Sequence, residues 1–454
     1  MANQRKDITN HPLTHIRQER GWTYQDLVNA VAEEAKRMGV RNMAARREKA
    51  WRWETWGVEP DLETQYALAS VLGVSQNDVR RLEWPTWIPT GMQVRTDTPW
   101  NQAGAIHTLE KELEDVMLDR RGFMIIAGST VSAIAYSWTS IEPERVAAAL
   151  NGRVIDEEIV TWIENRIPSL RRMDDKLGGA KLRDLVGAEL HLVSELLANG
   201  TYTSRVGRRL FDAAGELGQL AGWVSFDTGL NAAAQRYYLA ALRAAHAADN
   251  RPLAANIVAC MSFQSVIVGD PRDGVTLAQS AVSAGGRSAT PRVRSFLATR
   301  EASAYARAGD AAACQRALSR ADAELDRADK VDKADDPAWI YYFDEAELIA
   351  QAGACYLNLD MLKKADSELE IALANQDPSY VRDRILYQTR RATTQFRLGN
   401  LDHACTLATE AAALTRKARS RRSTQAVRDF RLLLASAETE PLVRELDSYI
   451  AALG

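Results

Sequence analysis

Strand signals are what this sequence has least of. Alternating β-branched runs bounded by Asn-Gly or Asp-Gly turns are missing, while Ala, Leu, Arg and Glu recur at three-to-four spacing almost everywhere from residue 104 onward. The expected fold class is all-α. Cysteine is scarce as well: Cys260, Cys314, Cys355 and Cys405 lie far apart, without CxxC or Cys/His spacing. That argues against a disulfide framework or zinc site and for reduced thiols in a cytoplasmic protein. Six scattered histidines suggest no metal-ligand cluster. The lysine-tipped phosphate loop, the HExxH pair and the GxSxG elbow are all absent, so neither catalytic residues nor a cofactor are expected and the chain does not read as an enzyme. Neither sign of charge is in excess. With 57 Lys and Arg against 60 Asp and Glu, a net charge of −3 gives no whole-molecule attraction to nucleic acid or anionic lipid. Any DNA-binding surface must therefore be local.

Long apolar runs are nearly missing too. The opening MANQRKDITNHPLTHIRQERG has no apolar stretch after its charged start, so nothing there directs secretion. One interior segment, DRRGFMIIAGSTVSAIAY at 119–136, has the look of a twin-arginine export signal. Such signals are read at a free N-terminus, and about 118 residues precede this one. As a membrane span it is short: Phe123 to Trp138 is sixteen residues, interrupted by Gly128, Ser129, Thr130, Ser132 and Ser137. A span needs about 20 mainly apolar residues. The segment reads as a buried helix, and no membrane partner is expected.

What is present is a chain of 454 residues, 46% hydrophobic and 26% charged, long enough for two or three packed domains. Pro85, Pro89 and Pro99 punctuate EWPTWIPTGMQVRTDTPW, which reads as a linker over 85–103. A domain over 1–84 precedes it; a linker helix and the apolar helix fill 104–150; the remainder, 151–454, is the largest domain. Within the first domain, amphipathic segments run from Leu13 to Arg20, Thr23 to Met38, Ala44 to Trp56 and Leu62 to Leu72. Thr23 is placed to cap the second, and Gly73 to stop the fourth. Between residues 36 and 52 stand Lys36, Arg37, Arg41, Arg46, Arg47, Lys49 and Arg52 against the single acid Glu48, a local charge of +6. A basic helix alone is usually a solvated face. Set within a four-helix pattern, it has the cations for phosphates and the bidentate donors for base edges that entry into a major groove requires.

Leu13-x-x-Ile16-Arg17-x-x-Arg20-Gly21-Trp22-Thr23, Trp51-Arg52-Trp53-Glu54, Gly57-x-x-Pro60 and Leu68-Ala69-x-x-Leu72-Gly73-Val74 together resemble the helix-turn-helix domain of the lambda-repressor-like (XRE) family, over about residues 11 to 82. The resemblance implies a recognition helix ending at Trp53-Glu54, with Glu54 paired to Arg17 and with Ala50 and Trp53 facing inward. It implies DNA-facing positions at Arg46, Arg47, Glu48, Lys49 and Arg52, with Arg41 nearby. About a dozen extra residues between Thr23 and that helix depart from the family pattern. Trp51, beside a core tryptophan, is expected to pack against the extended second helix.

Ile106, Leu109, Leu113 and Val116 give a helix with one apolar stripe, packed on its own domain or shared with a dimer partner. Beyond it, small residues align at fixed offsets. Gly222, Ser225, Ala234 and Ala241 match Ser262, Ser265, Gly274 and Ala281, and again Ala302, Tyr305, Cys314 and Ala321. Gly353, Tyr356, Ala365 and Ala372, then Ala392, Gln395, Ala404 and Ala411, complete the series at intervals of 40, 40, 51 and 39. Turns at Gly269-Asp270, Gly309-Asp310 and Gly399-Asn400 divide most units into helical hairpins. Stacked hairpins build a superhelix.

The offsets resemble the tetratricopeptide repeat over about residues 205 to 415, with end units at about 155–200 and 423–452. The resemblance implies a right-handed superhelix whose first helices line a concave groove, and by register it nominates Gln219, Trp223, Asp227, Asn256, Phe263, Arg307, Asn358, Thr393 and Arg397. Amides and cations there would hold a peptide backbone or a carboxylate. Aromatics in the 51-residue interval, DPAWIYYFDEAE, read as packing. The whole layout is similar to transcription regulators common in actinobacteria and distantly similar to peptide-sensing quorum regulators. It implies a cytoplasmic homodimer on a palindromic double-stranded operator, with a signalling peptide or small-molecule ligand in the repeats. The alternative is a dimeric scaffold that holds a partner protein through its repeats, its helix-turn-helix no longer binding DNA specifically.

Overall fold

The computed structural model describes residues 12–19, 22–40, 43–72, 74, 79–80, 84–85, 87–88, 101–118, 154–177, 179–418 and 420–451. The protein is all-helical there: among the described residues the only pairing of extended backbone is one isolated bridge, Val154 with Thr201. Two compact units divide the chain, Met1–Asp97 and Thr98–Gly454.

Among the described residues of the first unit lie α1 (Pro12–Glu19), α2 (Tyr24–Arg37), α3 (Arg47–Trp56) and α4 (Leu62–Leu72). Thr23 starts α2 with a capping box, its hydroxyl taking the Asp26 N–H at 3.2 Å while the Asp26 carboxylate takes the Thr23 N–H at 2.8 Å. At the start of α4 the Asp61 side chain accepts the Thr64 N–H at 2.8 Å. Gly57 ends α3 at φ 61°, the left-handed turn that favours glycine. The expected third helix begins three residues later than Ala44. Residues 44–46 are exposed and Arg46 is extended (φ −103°, ψ 127°), so no apolar burial holds a further turn in place. Leu27, Val28 and Val31 of α2, Ala50 and Trp53 of α3, and Ala67 and Leu68 of α4 share one core with Leu13 and Ile16.

That core reaches into the expected linker. Trp87 and Ile88 are each 3% exposed within it, and Trp87 Nε1 donates to Gln65 Oε1 at 2.9 Å. Two large apolar side chains outweighed the punctuation of Pro85 and Pro89, so the unit extends past residue 84.

The second unit opens with α5 (Gln102–Leu118), α6 (Glu157–Leu177) and α7 (Gly179–Asn199), followed by hairpins α8 (Ser204–Asp227) with α9 (Asn231–Ala247), and α10 (Arg251–Val268) with α11 (Pro271–Gly285). Then come α12 (Pro291–Arg307) with α13 (Ala311–Ala328), α14 (Glu345–Asn358) with α15 (Leu362–Asn375), α16 (Val381–Arg397) with α17 (Leu401–Ala418), and α18 (Arg421–Leu433) with α19 (Pro441–Ala451). Helix α5 packs on its own unit, the first of the two readings of its apolar stripe: Ala105 and Leu109 are buried in the core, and the helix packs on α7 and α9. The apolar stretch 119–138 lies outside the described residues.

Small residues set the hairpin spacing. A Cβ on Gly353 would come within 2.8 Å of Leu369 Cγ across the α14–α15 pair, and Ser262 Oγ donates to the Gly274 carbonyl at 2.7 Å across α10–α11. Gly309 (φ 81°) and Gly399 (φ 89°) close α12 and α16 in the left-handed conformation, after which Asp310 caps α13. Successive first helices α6, α8, α10, α12, α14, α16 and α18 touch one another in order and form a continuous layer. By length and composition one described helix, α10, could cross a membrane, but 56% of that segment is buried inside the unit.

Candidate functional site

Helix α3 divides its residues sharply. Ala50, Trp53 and Glu54 are buried, whereas Arg46, Arg47, Glu48 and Arg52 are exposed and Lys49 is half-buried. Arg41 lies outside the described residues. The helix is anchored from below by the pair the resemblance implied. Arg17 Nε donates to Glu54 Oε1 at 2.7 Å and Nη2 to Oε2 at 3.0 Å, with Nη1 on the Trp22 carbonyl at 3.1 Å. The Arg17 guanidinium also lies 4.0 Å above the Tyr24 ring. The Glu54 bond, with its charge, holds the Arg17 pKa above its ordinary value. Gln25 Nε2 donates to the Ala45 carbonyl at 3.0 Å and ties the entry of α3 to α2.

Trp51 departs from expectation. It is 38% exposed and meets Trp56 of its own helix edge-on at 4.6 Å. Arg47 and Trp51 are one turn apart, as are Glu48 and Arg52, so the exposed face of α3 carries an aromatic among its charges. Arg47 Nε is 3.4 Å from Glu48 Oε1, and the Glu48 carboxyl sits below its usual range because it accepts a backbone N–H at the helix start.

In the second unit the first helices enclose a cavity of about 100 Å³. One wall is an ion network. Arg382 of α16 donates to Asp174 of α6 at 3.0 Å, lies 3.5 Å from Asp175 and 3.9 Å from Asp227 of α8. Asp227 also pairs with Arg422 of α18 at 3.1 Å and accepts Ser420 Oγ at 3.1 Å. Burial opposes the charge on Arg382, but Asp174, Asp383 and Asp227 outweigh it and raise its pKa. Burial lifts Asp175 to about 6, although Tyr341 donates to it.

The adjoining part of the lining is aromatic. Trp223 and Phe263 stack at 6.1 Å, and Trp339, Tyr341 and Tyr342 arrive from the segment between α13 and α14. The Arg300 guanidinium lies 4.3 Å above Phe263 and 5.1 Å from Phe296. At the α14–α16 end, Glu347 accepts Tyr387 OH and, at 2.8 Å, Gln351 Nε2; burial first and Asp383 second lift its pKa to about 7.

Of the nominated groove residues, Gln219, Trp223 and Phe263 line this cavity, and Asp227 stands behind it as the counter-ion of Arg422. Gln219 is fixed by Arg171, which donates to it at 2.7 Å. Asn256 is buried in the α10 core, accepting from Cys260 Sγ at 3.8 Å. Thr393 turns back on its own helix, donating to the Thr389 carbonyl at 2.9 Å. Arg307, Asn358 and Arg397 sit exposed at the last turns of α12, α14 and α16, away from the cavity, with Arg397 held by Asp360 at 2.8 Å. In the aromatic interval Ile340 and Phe343 pack as expected, but Trp339, Tyr341 and Tyr342 also wall the cavity. Arg300, Arg382 and Arg390 were missed. Their signal was arginine in phase with buried positions: Phe296 and Arg300, and Arg382, Leu386 and Arg390, recur every four residues. Comparison with protein-family models finds no match, and comparison with curated proteins finds none of significant similarity.

Proposed function

We propose that the protein is a DNA-binding transcription regulator of the lambda-repressor-like kind, a homodimer on a roughly palindromic operator, whose tetratricopeptide-like right-handed repeats sense a signal molecule. The observation that carries the reading is the two-sided helix α3. Its inner edge is locked by Ala50, Trp53 and the Arg17–Glu54 pair, while Arg46, Arg47 and Arg52 are exposed on the outer edge. A rigidly seated helix with an exposed cationic edge suits a major groove, where the phosphates supply affinity and arginine reads guanine. A homodimer would place two such helices about 34 Å apart on successive turns of the duplex. Support for the sensor half is the cavity, formed by helices from one end of the hairpin stack to the other, so that an occupant touches α6, α8, α16 and α18 at once. A ligand favouring one arrangement by ~1 to 3 kcal/mol would change operator affinity roughly 5- to 150-fold.

The test is in vitro selection from a random duplex library with the full-length protein. Enrichment of an inverted repeat with half-sites one helical turn, or a multiple, apart is the expected outcome. Failure to enrich any sequence at nanomolar protein would remove the DNA role and favour the scaffold reading.

A further inference from the structure

Five guanidiniums line the cavity, and they divide into two kinds. Arg171, Arg382 and Arg422 each have a carboxylate partner, Glu216 at 3.3 Å, Asp174 at 3.0 Å and Asp227 at 3.1 Å. Arg300 and Arg390 have none: among the described residues no carboxylate oxygen lies within 4.0 Å of either. Arg300 is only 8% exposed, and its Nε has no hydrogen-bond partner; its contacts are the faces of Phe263 and Phe296 and the Tyr342 hydroxyl. Arg390 is half-buried, its Nη1 is likewise without a partner, and its nearest ring is Tyr387 at 5.8 Å. Glu347 and Asp383 act on Arg390, and Arg300 acts on Glu347, only from beyond ion-pair distance; burying a guanidinium without a close counter-ion is costly, and a chain that builds salt bridges for three neighbours has left two in the cavity lining without one.

We infer that the cavity binds a small organic carboxylate, its acid group held by Arg300 and Arg390 and its flat apolar body lying against Trp223, Phe263 and Trp339. The geometry selects among anions. Asp174, Asp175, Glu347 and Asp383 also line the cavity, so a compact dianion such as phosphate meets stronger repulsion than a singly charged carboxylate does. Its volume of about 100 Å³ is of the order of a cavity that takes one benzene ring, and the stacked aromatic wall offers a flat surface of that size. Arginine is the side chain suited to fork a carboxylate through paired N–H donors. With Glu347 lifted to about 7 by burial and Asp383, the negative charge opposing an incoming carboxylate is reduced at neutral pH.

This deepens the sensor reading and rests on it only for the consequence on DNA; carboxylate binding is measured without DNA, so each fails separately. Thermal unfolding of the full-length protein is followed with 10 mM phenylacetate, phenylacetamide, phenethylamine or inorganic phosphate, for the parent and for Arg300→Met and Arg390→Met. Phenylacetate is expected to raise the parent Tm by about 2 to 4 °C, with the amide, amine and phosphate giving less than half of that. Both variants lose the response while their ligand-free Tm stays level with the parent or rises, because a buried charge without an ion pair has been removed. The inference is overturned by an equal response to the amide, by a phenylacetate response that survives in both variants, or by no response in the parent with a lowered ligand-free Tm in both variants. The last result would make the two arginines structural and the cavity a water pocket. If the parent fails to respond but the variants are stabilised, the aromatic-carboxylate assignment is equally overturned.

Discussion

The two units treat buried arginine in opposite ways. In the N-terminal unit Arg17 has its charge matched by Glu54 through two donors and a further N–H taken by the Trp22 carbonyl. In the repeat unit Arg300 and Arg390 face a cavity without a carboxylate of their own. The same side chain fixes a fold in one place and keeps binding capacity in the other. What decides is whether the sequence supplies the counter-ion.

The comparison breaks most visibly at its matched member. Glu54→Ala leaves Arg17 buried beside a vacant site, and denaturant unfolding of the N-terminal unit is expected to show a loss of about 3 to 5 kcal/mol. Within the cavity itself, Arg382→Met removes a matched cation. Asp174 loses its partner, but burial already raises that carboxyl and lets it take a proton, so a smaller loss of about 2 to 3 kcal/mol is expected in the repeat-unit transition. Equal stability of Arg382→Met and the parent would erase the distinction between matched and unmatched cations.

Glu347 sharpens the contrast through pH. Its folded pKa of about 7 lies above the ordinary 4.5, so protonation favours the fold. The contribution is full below about 4.5, is lost as pH rises to about 7, and is level above. Glu347→Gln should match the parent near pH 4.5 and exceed it at pH 8, by roughly 1 to 3 kcal/mol in Tm-derived stability. A difference independent of pH would contradict the assignment. The smallest change is expected for Arg300→Met in the absence of any added carboxylate, within about 1 kcal/mol of the parent, because an uncompensated charge and its cation–π contacts are lost together.

Much of the hairpin architecture was legible because its signals are local. Gly353 and Ser262 set close approach between neighbouring helices, and Gly309 and Gly399 supply backbone angles that other residues resist. The Arg17–Glu54 pair was legible through its resemblance to a known pattern. The cavity was not, because its wall joins Asp174 to Arg382 across 208 positions, a closure that no periodicity reports. Register carried from one hairpin to the next found Gln219, Trp223 and Phe263, which sit mid-helix on the inner layer. It failed at Arg307 and Arg397, where the same register runs out at an exposed helix end. Trp87 and Ile88 were hidden by the prolines around them, since punctuation is read from sequence more easily than burial.

The central claim is that the outer edge of α3 touches DNA. Its most direct test is fluorescence-anisotropy titration of a selected duplex with the parent and with the Arg47→Ala, Arg52→Ala double variant, repeated across salt concentrations. The account predicts nanomolar binding by the parent, with affinity falling at least tenfold and the slope of log affinity against log salt shrinking by about 1 to 2 in the variant, while unfolding is unchanged. Identical affinity and slope for the two proteins would contradict it.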